Sequence, residues 1–121
     1  MIVLVIFQDA KGHPLNFLLK KKFKHCFVCI KSGDYWIEVD ILKGVPHIKL
    51  MTNSEFDMET FYRDQGKIVV KTRQRAICPP KLTYLFYGTF MIANCVGLVK
   101  MILGIHNWSW TPYSLYKELI K

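Results

Sequence analysis

Apolar positions come first as an unbroken run and then as an alternation. Residues 2–7, IVLVIF, are all apolar, and a run of that length rich in β-branched side chains predicts a first strand over 2–8. A turn follows at 9–12. Pro14 suits the first turn of a helix reaching about residue 22, with Leu15, Phe17, Leu18 and Phe23 on its apolar side. HCFVCIK (25–31) and DYWIEVDIL (34–42) are β-rich runs separated by a tight turn, the pattern of a hairpin, and 45–51 adds a third strand.

Asp57 is placed to cap a short helix over 58–65, and Gly66 to end it at the position just past the last helical residue. Residues 67–72 alternate as another strand, Pro79-Pro80 breaks the chain, and extended structure resumes from 82 to about 91. A helix over 95–103 stops at Gly104. Thr111-Pro112 then pairs a cap with proline at the first helical position and starts a last helix through 119. The order β, α, β-hairpin, β, α, β, β, α, α predicts an α+β fold, an antiparallel sheet with packed helices, in one domain over 1–121. A chain of 121 residues buries a core without disulfide staples, and no repeat or linker divides it.

The hairpin sorts its residues by face. One face carries Cys26, Val28, Ile30, Ile37, Val39 and Ile41 and is wholly core; the other holds His25, two carboxylates and two aromatics. A turn at Ser32-Gly33 sets His25 opposite Asp40, Phe27 opposite Glu38 and Cys29 opposite Trp36. A turn at Gly33-Asp34 shifts the register and leaves Asp40 diagonal to His25. In both registers a carboxylate beside an imidazole fixes its tautomer and raises its basicity, which a thiol-activating base requires. A surface His-Asp contact fits the same pattern.

Charge and cysteines narrow the picture. The net charge is +8, with Lys20, Lys21, Lys22 and Lys24 clustered and Lys67, Lys71, Arg73 and Arg75 near-alternate. Such a balance favours acidic partners, yet no nucleic-acid motif or base-stacking platform accompanies it, so a solvated basic face is expected and no nucleic-acid partner. The first seven residues lack a preceding basic region and a cleavage site and are no signal peptide, so the four cysteines are expected reduced. Residues 82–99 hold no charge, but Thr83, Tyr84, Tyr87, Gly88, Thr89, Asn94 and Gly97 are scattered through them, which predicts a buried strand and helix rather than a membrane span. Cys26 and Cys29 on one strand point to opposite faces and cannot share an ion, and His13, His47 and His106 are ordinary polar histidines; no metal and no cofactor is expected.

Cys95 stands apart. Asn94 is a strong N-cap residue, so Cys95 falls at the first helical position, where unpaired amides and the helix dipole stabilise a thiolate. A nearby base makes such a thiolate a nucleophile. The alternative is a small apolar residue beneath an apolar helix.

Asn94-Cys95-Val96-Gly97-Leu98-Val99 resembles the nucleophile motif of NlpC-type papain-like cell-wall peptidases, in which an Asp-Cys-Ser-Gly-Leu run opens a helix. HCFVCIKSGDYWIEVD, residues 25–40, resembles the histidine hairpin of the same superfamily. Here the histidine precedes the cysteine, as in the circularly permuted branch that includes lecithin retinol acyltransferase-like proteins. Over most of its length the chain is also similar to small proteins of tailed phages and prophage tail modules. The resemblance implies a permuted papain-like fold with Cys95 as nucleophile, His25 as base and Asp40 as orienting residue, Glu38 being the alternative, and Tyr84 or Tyr87 as an oxyanion contributor. Asn94 replaces the acidic residue of the motif and Val96 the serine.

The expected activity is that of a thiol hydrolase cleaving an amide in peptidoglycan peptides or a related acyl substrate. The alternative is a non-catalytic component of a virion or phage tail that keeps the fold and contacts other tail proteins. Synthesis in a bacterial cytoplasm, with association to a virion, is the location the resemblance implies.

Overall fold

Six consecutive apolar residues need cover on both faces and a partner on both edges. The computed structural model, which describes residues 1–10, 19–42, 44–74, 95–105 and 107–121, supplies both. Strand β1 (Ile2–Gln8) lies between β2 (His25–Ser32) and β5 (Ile68–Arg73) in a five-stranded antiparallel sheet. With β3 (Tyr35–Leu42) and β4 (Val45–Asn53) the order is β4-β3-β2-β1-β5. The helices among the described residues are α1 (Met58–Asp64), α2 (Cys95–Leu103) and α3 (Pro112–Leu119), so the fold is α+β.

Period-two alternation divides the core between the two faces. Val3, Val5 and Phe7 join Cys26 and Val28 and pack on Val96, Val99 and Leu103 of α2 and Leu115 of α3. Leu4 and Ile6 join Phe27, Cys29, Trp36 and Val69 and pack on Met58 and Tyr62 of α1. The face that holds His25, two carboxylates and two aromatics is covered as well: α1 packs on it, and Phe27, Cys29 and Trp36 are buried there.

Caps form where the residue types placed them. Asp57 accepts from the Thr60 amide at 3.1 Å, and Gly66 follows α1 at φ +79°. Thr111 and Ser114 make a reciprocal capping box at α3, with Pro112 at its first position. Gly104 ends α2 at φ +67°. The strand expected over 45–51 runs two residues further. Of the helix expected to reach residue 22, 11–18 lie outside the described residues, and 19–22 form a bend and turn rather than helix. Three contacts hold that turn: Phe23 N–H donates to Lys20 O at 2.9 Å, Lys24 N–H to Gln8 O at 3.1 Å, and Lys22 N–H to the Asp9 carboxylate, with Lys22 at φ +69°. Phe23 then packs against Phe7 and Tyr116, with ring centroids 5.6 and 4.9 Å apart. The chain therefore enters β2 from a fixed point.

The hairpin turn is Gly33-Asp34, not Ser32-Gly33. Cys29 pairs with Glu38, Ile30 with Ile37 and Ser32 with Tyr35. Gly33 supplies φ +58°, the left-handed conformation that the first position of such a turn requires and that a serine there would resist. Asp40 is accordingly diagonal to His25 rather than opposite it. Among the described residues no helix is long and apolar enough to cross a membrane.

Candidate active site

His25 opens β2 beside the last residue of β1, Gln8. The β2–β3 ladder begins only at Val28, so the start of β2 is free of the cross-strand bonds that would fix a side chain directly opposite. Asp40 reaches His25 across this gap. Its Oδ1 lies 2.7 Å from His25 Nε2 and also accepts from the Ile41 backbone amide at 2.7 Å. Both side chains are nearly enclosed, His25 at 13% and Asp40 at 12% exposure, so their contact is shielded from water that would otherwise weaken it. Because Nε2 is occupied by Asp40, Nδ1 is the ring nitrogen left for another partner.

Cys95, at the start of α2, lies close enough to the ring for the two groups to act on each other's charge. Cys95 is half-buried and packs against the cluster containing Cys26. A hydrogen bond from Cys26 lowers the Cys95 pKa, burial opposes it, and the His25 hydrogen bond and charge lower it further, to about 5. On the imidazole burial acts downwards, but the bonds to Asp40 and Cys95 outweigh it and raise His25 to about 9. Between those values the pair is held as thiolate and imidazolium. The Cys26 thiol is fully buried, and burial together with the neighbouring Cys95 pushes its pKa well up, so it stays protonated and donates.

Of the residues proposed from sequence, His25 and Asp40 are in direct contact, and Cys95 lies close enough to His25 to act on its charge. Glu38 does not join them. It accepts a 2.7 Å hydrogen bond from the Tyr62 hydroxyl of α1, and burial followed by that bond drives the phenol pKa far up. The possible oxyanion contributors Tyr84 and Tyr87, the cap Asn94, the Pro79-Pro80 break and the strand expected over 82–91 lie outside the described residues. Cys26 was the neighbour that sequence reasoning missed. It was assigned to the core face, and the available signal was that this same face is the one an apolar helix opening with cysteine would cover. Among the described residues no three His, Cys, Asp or Glu side chains gather as a metal site.

No protein-family model, no curated protein and no solved structure matches the chain.

Proposed function

We propose that the protein is a thiol hydrolase of circularly permuted papain-like type, acting on an amide or related acyl bond, with peptidoglycan peptides as the substrate class. One observation supports this reading: His25 is bonded at 2.7 Å to a buried carboxylate, and a thiol at a helix start lies near enough to share charge with the ring. The Cys95 thiolate attacks the carbonyl carbon, and the oxyanion is held by the Cys95 backbone amide and one further donor. Imidazolium His25 gives its proton to the leaving amine. The neutral ring then takes a proton from water, whose oxygen attacks the acyl carbon, breaks the C–S bond and releases the acid. Asp40 keeps Nε2 engaged throughout and stabilises the charged ring.

Cys95→Ser keeps the volume and replaces the thiolate with a far weaker nucleophile. Amide hydrolysis should fall at least about a thousandfold while the far-ultraviolet spectrum and unfolding midpoint stay close to wild type. Equal turnover by the variant would reject the assignment.

A second reading, a non-catalytic virion or tail component, draws on the exposed apolar side chains: Ile48 at 75% and Leu50 at 62% on β4, and Trp108 at 89%. It would take precedence if the Cys95 thiol titrated at the ordinary value for a free cysteine.

A further inference from the structure

Two cysteines meet at this site, and hydrolysis needs only one of them. Cys95 is half-buried and so meets solutes, whereas Cys26 is fully enclosed, one residue from His25 on β2, in the core cluster against which Cys95 packs. Cys29 is excluded from the pair: it lies on the opposite face of the sheet, among Phe27, Trp36 and Tyr62. We propose that Cys26 is a resolving thiol for Cys95, so that peroxide drives the two into an intramolecular disulfide that closes the site. This idea shares the Cys95 thiolate and the His25 proton with the hydrolase reading and requires no amide substrate.

The chemistry balances in two steps. The Cys95 thiolate attacks one oxygen of hydrogen peroxide and the O–O bond breaks. The sulfur becomes a sulfenic acid, and the departing hydroxide takes the His25 proton and leaves as water. The Cys26 sulfur then attacks the Cys95 sulfur, the S–O bond breaks, and the Cys26 proton leaves with the hydroxyl as a second water. Two thiols are oxidised by two electrons, and one peroxide is reduced to two waters. Burial is the main cause that keeps Cys26 protonated and the neighbouring Cys95 adds to it; a neutral sulfenic acid at Cys95 removes the added repulsion when the attack is required. Cys26 belongs to the core cluster on which Cys95 packs, so reaching a bond of about 2.05 Å calls for an approach of the first turn of α2 towards β2 rather than refolding.

The test uses the wild-type protein, fully reduced, then exposed to a small excess of hydrogen peroxide and digested without reductant. A peptide cross-linked between Cys26 and Cys95 is expected, with iodoacetamide labelling of Cys95 lost and then restored by dithiothreitol. Cys26→Ser should instead accumulate a Cys95 sulfenic acid that dimedone traps, and pass on to sulfinic acid that dithiothreitol does not reverse. Three wild-type results would overturn the proposal: Cys95 oxidised while Cys26 remains a free thiol, Cys95 bridged to any other cysteine, or Cys95 untouched by peroxide. Labelling of the reduced protein across pH, done in parallel, reports the thiolate alone, so failure of the disulfide is separable from failure of the hydrolase reading.

Discussion

A thiol and an imidazole in contact hold one proton between them, and their neighbours decide which charge state wins. Here Cys26 donates to the sulfur, while Asp40 accepts from the ring and is itself fixed by the Ile41 amide. The charged pair is therefore favoured over a window from about 5, where Cys95 takes up a proton, to about 9, where His25 loses one. Cys95 alkylation should rise through the lower limb, well below the pKa of about 8.5 of a free thiol, and turnover should fall again through the upper limb as the leaving amine loses its acid. Asp40→Asn removes the carboxylate charge behind the imidazolium, so alkylation at pH 6 should slow about tenfold. Glu38→Gln, whose side chain still accepts from Tyr62, should leave it near wild type. If Glu38→Gln has the larger effect, the assignment of the orienting residue is wrong. The sequence placed His25 and Asp40 on one face because strand alternation survives either turn. It could not choose the register, since moving the turn from Ser32-Gly33 to Gly33-Asp34 changes every partner without changing any face.

At the scale of elements, α2 and α3 hold the thiol against the sheet. Leu115 of α3 is fully buried among Val96, Val99 and Leu103 of α2 and the strand residues beneath them. Lys100 of α2 adds a polar tie, donating to the carbonyls of Asn107 and Ser109 in the connection between the helices. The capping box at Thr111 starts α3 at the end of that connection, so Thr111→Ala should cost about 1 kcal/mol of stability in urea unfolding. Cys95 alkylation at neutral pH should persist, because the variant leaves the first turn of α2 intact. These caps were legible because each depends on a few adjacent residues. The docking of α1 was not: seven residues, METFYRD, show too little periodicity to say which sheet face Met58 and Tyr62 would cover.

At the scale of the whole molecule, the two edges of the sheet formed by the described residues differ. The β5 edge carries exposed Lys71 and Arg73, whereas β4 presents Val45, Ile48 and Leu50, interrupted by Pro46 and Lys49. Charge and proline discourage strand addition, and an apolar edge invites it. Ile48→Lys should therefore lower any self-association seen by sedimentation at rising concentration while leaving Cys95 labelling unchanged; a wild-type chain that stays monomeric throughout would remove β4 as a contact surface. The order of the strands also separates the site in time. His25 and Asp40 belong to neighbouring strands of one early hairpin, but the thiol comes from α2, after β5 has closed the far side of β1. During synthesis at about 5–20 residues per second, the base and its carboxylate are made some seconds before the nucleophile. A growing chain thus carries a harmless imidazole first, and the reactive sulfur reaches it only after the sheet that will enclose them has been made.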